Sequence, residues 1–131
     1  MISIDTSVLV RYLVGTPTDQ AARAAALIDG EGIVGVSVIV LVEAAHVLRT
    51  QYGVSRGDVL DVLLRLVRRA NIRILEASTD DVTDALVRAR ALPDRPIPDA
   101  FIAMAARAAH ALPIHTFDRG FQRLGVETAE P

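Results

Sequence analysis

The sequence predicts a parallel α/β sheet covered by helices on both faces. Three observations lead there. Short apolar runs alternate with longer segments of helical periodicity along the whole chain. Cap residues and glycine or proline breakers fall at the junctions. About half of the 131 residues are apolar, which suits one domain with a substantial core, spanning residues 1–131.

The elements follow in order. "ISID" (2–5) reads as a strand ending in Asp5, and "TSVLVRYLV" (6–14) as a helix closed by Gly15 and Pro17. "TDQAARAAALID" (18–29) is Ala-rich and helical up to Gly30. "GIVGV" (32–36) is a short β-branched strand, after which Ser37 caps a very apolar helix that carries Glu43. Ser55 and Asp58 open a helix to about Ala70, and "NIRIL" (71–75) is a strand. Ser78 and Asp81 have capping-box spacing for a helix to about Ala91. Pro93, Pro96 and Pro98 break the chain before the helix "DAFIAMAARAAHA" (99–111). "LPIHT" (112–116) is a strand, "FDRGFQRLG" (117–125) a turn with a short helix, and "VET" (126–128) a last strand.

Composition removes several chemistries. There is no cysteine, hence no disulfide, zinc–thiolate site or thiol nucleophile. All fourteen basic residues are arginine, as GC-rich coding would also produce. Without lysine there is no Walker A loop, Schiff base, receiver-type site or haloacid-dehalogenase-type phosphate site. "MISID" lacks the basic start of a signal peptide, and no apolar run approaches the ~20 residues of a membrane span. A soluble, cytoplasmic protein is expected.

Most of the sixteen acids have a structural explanation. Asp19–Arg23, Asp61–Arg65 and Asp84–Arg88 have the i,i+4 spacing of surface pairs. Asp58, Asp80 and Asp81 lie in first helical turns, where the dipole favours an anion. Four acids stand apart: Asp5, Glu43, Asp99 and Asp118. Asp5 could serve as a helix cap, Asp99 as a first-turn anion and Asp118 as a turn acid. Glu43 has no Arg or Lys three or four residues away, only His46 as a possible partner.

One geometry unites the four. Ligands of open parallel sheets bind beyond the carboxyl ends of the strands, near the switch in strand order. Asp5 and Asp118 follow strands, Asp99 starts a helix, and Glu43 lies about two turns into a helix from that edge. Four convergent anions repel unless a cation joins them. Hard oxygen donors without cysteine select Mg²⁺ or Mn²⁺, and such ions suit phosphodiester hydrolysis.

The segments "MISIDTSVLVRYL", "VSVIVLVEAAHVL" and "IPDAFIAMAARAAHALPIHTFDRGFQRLG" resemble the PIN-domain family, and within it the VapC toxins of VapBC toxin–antitoxin pairs. The likeness spans essentially the whole chain; "DTS" alone is weak, the ordered set of four is strong. It implies a three-layer α/β/α sandwich and a metal-dependent endoribonuclease with Asp5, Glu43, Asp99 and Asp118 as the acidic quartet. Asp5, Glu43 and Asp99 would hold the principal ion, and Asp118 would be a more distant ligand or orienter. Thr6 and Thr116 match hydroxyl positions near the family's site. The resemblance also implies dimerisation and inhibition by a small antitoxin. Gly120 stands where many relatives carry an acid, which weighs against a fully occupied second metal site. Arg11, Arg95 and Arg119 are candidate contacts to RNA or antitoxin, with ordinary solvated surface the alternative. A longer flap-type DNA nuclease and a non-catalytic binding module are the competing functional readings.

Overall fold

The computed structural model describes residues 1–131. Five parallel strands form one sheet in the order β3-β2-β1-β4-β5, with six helices around it. The chain starts in the middle with β1 (Ile2–Ile4), where Ile2 faces Val34 of β2 (Val34–Ser37) and Ser3 faces Ile114 of β4 (Ile114–His115). It steps outward through β2 to β3 (Ile72–Leu75), then returns to the other side of β1 for β4 and β5 (Thr128–Ala129). The switch in direction therefore lies between β1 and β4. Every residue of β2 is buried, although alternate side chains point to opposite faces, so helices cover both sides of the sheet. This is the layered sandwich implied by the resemblance.

Local chemistry sets the boundaries. Asp5 accepts a 3.1 Å bond from the Val8 amide and caps α1 (Thr6–Val14), so the first strand ends at Ile4 rather than at Asp5. Gly15 closes α1 in the left-handed conformation at φ 81. After α2 (Thr18–Ile28), Ser37 caps α3 (Val38–Thr50) and Ser55 caps α4 (Arg56–Val67). Ser78 and Asp81 form the expected capping box of α5 (Thr79–Ala91). Helix α6 (Ile97–Ala108) starts two residues earlier than the prolines suggested, because a first-turn proline gives up an amide that has no partner there. It also ends earlier than expected, at Ala108, before His110 turns left-handed at φ 54. A single 3₁₀ turn, Phe121–Leu124, sits between β4 and β5; β5 lies one to two residues beyond the expected "VET".

The main core joins Ile4, Val8 and Leu9 to Val36, Val40, Ile114, Phe121 and Leu124. Two expectations change. Helix α3, very apolar in sequence and so expected to lie largely in the core, leaves Val38 and Val42 more than half exposed. Asp19–Arg23 and Asp84–Arg88 pair, at 4.0 Å and 2.8 Å, whereas Asp61 and Arg65 form no ion pair. No helix is long and apolar enough to cross a membrane.

Candidate functional site

The innermost side chain is Asp5, 4% exposed at the carboxyl end of β1. Its Oδ1 accepts from Ser7 Oγ at 2.6 Å and from the Val8 amide, and its Oδ2 accepts from Thr116 Oγ1. Both hydroxyls bond twice. Ser7 Oγ also accepts from the Phe117 amide at 3.1 Å, and Thr116 Oγ1 accepts from the Asp118 amide at 2.9 Å. The tails of β1 and β4 are thus stitched together across the switch point. Burial raises the Asp5 pKa, and the hydrogen bonds from Ser7, Thr116 and the Val8 amide oppose that rise.

Thr6, at the start of α1, donates from Oγ1 to Glu43 Oε1 at 2.8 Å. This bond tethers the half-buried Glu43 of α3 to the same edge. His46 makes no ion pair with Glu43, which removes the local alternative for that carboxylate; its carbonyl instead accepts from Thr50.

Asp99 and Asp118 are joined by Arg95. Nη2 lies 2.7 Å from Asp99 Oδ2 and 2.8 Å from Asp118 Oδ2. Gly120 donates its amide to Asp118 Oδ1 at 2.9 Å. The Arg95 hydrogen bond holds the Asp118 carboxyl below its usual range. Asp99 behaves oppositely, because burial first, and then the charges of Glu43, Asp5 and Asp118, outweigh the pull of Arg95. Its pKa is carried up to about 6. Asp99 therefore feels all three of the other acids.

The four expected carboxylates thus occupy one neighbourhood at the sheet edge, with Thr6 and Thr116 in hydrogen-bond contact with Glu43 and Asp5. As the side chains stand, however, no three His, Asp or Glu residues close into a metal cage. Their oxygens reach for hydroxyls, amides and a guanidinium instead. The donor set still suits a hard divalent cation, and burial together with the neighbouring acids disfavours the ionised form of Asp99 in spite of Arg95.

The three arginines have different settings. Arg11 bonds Gln20 through Nε at 2.9 Å, Arg95 faces inward, and Arg119 is 92% exposed, with Glu130 at 3.9 Å. Beside Asp118 a polar hollow runs over the ends of β4 and β5, lined by Thr116, Arg119, Gln122, Thr128 and Glu130. Sequence reasoning missed Ser7 and the inward role of Arg95. A hydroxyl two residues beyond Asp5 and an arginine four before Asp99 were the available signals.

A small parallel α/β domain with an acidic centre at its topological switch is the class that this architecture defines. The chain belongs to the PIN domain family, whose model matches residues 2–127. Its fold is similar to that of VapC20 from Mycobacterium tuberculosis, described as a sarcin–ricin loop cleaving toxin, with 21% identity, a TM-score of 0.77 and 100% of both chains covered. It is similar also to VapBC2 from Rickettsia felis bound to a promoter DNA fragment, at 18% identity and TM-score 0.72 over 99% of this chain and 98% of that one. VapBC-1 from nontypeable Haemophilus influenzae aligns at 20% identity and TM-score 0.68, covering 99% and 98%. No curated protein sequence matches the chain.

Proposed function

We propose that this protein is a divalent-metal-dependent endoribonuclease and the toxin of a type II toxin–antitoxin pair. The observation that carries the reading is the gathering of Asp5, Glu43, Asp99 and Asp118 at the switch point, with Asp99 pushed up to about 6. A centre so rich in negative charge is relieved by Mg²⁺ or Mn²⁺, and Asp5, Glu43 and Asp99 are the residues to hold it. When bound, such an ion activates water and neutralises charge on the leaving oxygen of a phosphodiester.

The chain's own residues orient the donors. Ser7 and Thr116 hold the Asp5 carboxylate between two strand tails, and Thr6 holds one oxygen of Glu43 so that the other is free. No hydroxyl, thiol or lysine nucleophile is required, in keeping with the absence of Cys and Lys. The polar hollow next to Asp118 offers a path for the substrate backbone, with Arg119 at its wall.

RNA as substrate is supported by the similarity to a toxin described as cleaving the sarcin–ricin loop, and a cognate VapB-like antitoxin by the similarity to VapBC assemblies. The partly exposed apolar surface of α3 at Val38 and Val42 suits a homodimer or antitoxin contact. Such a protein works in the cytoplasm as a single domain over 1–131.

Purified protein incubated with structured RNA and with DNA, in Mg²⁺, Mn²⁺ or chelator, tests the reading. Metal-dependent RNA cleavage is expected, with Glu43→Gln folded and inactive. Cleavage of DNA alone would favour a flap-type nuclease, and cleavage of neither would favour a non-catalytic module.

A further inference from the structure

Arg95 is the most buried of the arginines that pair with an acid, 12% exposed where each of the others is 32% or more. The Asp19–Arg23 and Asp84–Arg88 pairs lie on open helix surface, with side chains at least 40% exposed. Arg95 is 12% exposed and reaches two carboxylates from different parts of the chain. Nη2 bridges Asp99 Oδ2 and Asp118 Oδ2, and Nη1 lies 3.4 Å from Asp118 Oδ1.

The surroundings form a seat for this guanidinium. Its carbon lies 5.8 Å from the centroid of the buried Phe121 ring. Asp94, the preceding residue, is clamped by Arg123 at 2.6 Å and 3.2 Å. Gly120 has an ordinary helical backbone, φ −82 and ψ −4, so its conformation does not require glycine. The space is taken by Arg95: a Cβ there would come 2.8 Å from Nη1 and push the end of that side chain aside. Buried Nε is left without a hydrogen-bond partner, as if the group were oriented for its outer nitrogens alone.

This arrangement places a positive charge against both oxygens of Asp118, where Asp5 meets only neutral donors. Its Oδ1 is taken by the Gly120 amide and approached by Nη1, and its Oδ2 is bonded to Nη2. A divalent ion between Asp99 and Asp118 would have to displace a guanidinium from the same oxygens or stand against its like charge. The inner side is different, since Asp99 Oδ1 and Glu43 Oε2 make no hydrogen bond to the protein.

We propose that Arg95 is the resident cation of the outer half of the centre, so that the centre takes one divalent ion. That ion sits on the Asp5–Glu43–Asp99 side, and Asp118 is the counter-ion of Arg95 rather than a metal ligand. Arg95 is then a positioning residue: it fixes one oxygen of Asp99 and leaves the other to the ion. This inference rests on the metal-dependent reading above and specifies its stoichiometry.

Mn²⁺ titration of the full chain, followed by electron paramagnetic resonance of the free ion, reads ions bound per chain directly. One ion is expected for the wild type, and one of unchanged affinity for Asp118→Asn. Arg95→Ala is expected to admit a second ion between the released carboxylates. Gly120→Ala, which crowds Nη1 without straining the backbone, is expected to do the same and stands in if Arg95→Ala does not fold. Two ions on the wild type, loss of the tight ion in Asp118→Asn, or a single ion throughout the Arg95 and Gly120 variants each overturns the inference while leaving the nuclease reading intact. No ion on the wild type overturns both.

Discussion

The two halves of the acidic centre handle the same charge in opposite ways. In the inner half, Asp5 is almost wholly buried and meets only neutral donors: two hydroxyls and a backbone amide. In the outer half, Asp118 is exposed and meets a full positive charge on Arg95. The consequence appears in their pKa shifts, upward for Asp5 through burial and downward for Asp118 through the Arg95 bond. Dipoles orient a buried carboxylate but leave its charge incompletely compensated. A guanidinium compensates the charge but occupies the oxygens. The inner half therefore carries the less compensated charge, and Asp99 belongs to both.

Breaking the inner half has the largest expected effect. Glu43→Gln or Asp5→Asn should lower metal-dependent RNA cleavage on the order of 10³-fold, several kcal/mol at 1.36 kcal/mol per tenfold. A turnover assay on variants whose circular dichroism matches the parent checks this. Undiminished cleavage by folded Glu43→Gln would remove Glu43 from the site.

Loosening the inner half without removing a carboxylate comes next. Thr116→Val leaves Asp5 Oδ2 without its donor and the Asp118 amide without its acceptor. Metal affinity should fall about 10- to 100-fold and stability by about 1–3 kcal/mol. Calorimetric titration and denaturant unfolding measure the two separately. Ser7→Ala should act in the same direction on Asp5 Oδ1, with Phe117 as the amide left unpaired.

The comparison sharpens through pH. Asp99 has a folded pKa of about 6, above its ordinary 3.8. Between those values the unfolded chain has released a proton that the folded chain keeps, so stability falls as pH rises from about 4 to about 6. The loss attributable to Asp99 is at most about 3 kcal/mol, from 1.36 kcal/mol per pKa unit. Thermal melts in chelator across that window should show the decline, Asp99→Asn should flatten it, and saturating Mg²⁺ should reverse it. Asp118 contributes the other sign, losing stability only as pH drops through its lowered folded pKa.

The smallest effect belongs to the rim. Arg119→Ala should leave stability within about 0.5 kcal/mol, because its side chain is open to solvent and Glu130 is distant. Only the KM for RNA, measured at low salt, is expected to rise modestly.

Much of this was legible from residue order. Short apolar runs placed the strands, and Ser37, Ser55 and the Ser78–Asp81 box placed the helix starts, because local hydrogen bonding decides those starts. Of the four acids only Glu43 lacked a local explanation; Asp5, Asp99 and Asp118 also fitted cap, first-turn and turn roles, and their shared sheet edge set them apart. What sequence concealed was connection at a distance. Ser7 is an ordinary first-turn serine until the tail of β4 arrives to donate the Phe117 amide. Arg95 has the same four-residue spacing to Asp99 as the exposed surface pairs, and its inward turn depends on Gly120 and Phe121 far along the chain. Edge positions also blurred: α6 took in Pro98, and Asp61 lacked the partner that spacing alone suggested.

The stitch between Asp5 and Thr116 joins residues 111 positions apart. During synthesis Asp5 emerges 111 residues before Thr116, so one side of the centre exists long before the other. Throughout that interval β1, the middle strand of the finished sheet, has no neighbour on its β4 side, and the pocket has only one wall. A nascent or prematurely ended chain lacking residue 116 onward carries Asp5 without Thr116, Asp118 or the Phe117 amide. The centre is therefore assembled only after residues 116–118 have been made, so a synthesis interrupted before them leaves fragments without a complete acidic centre.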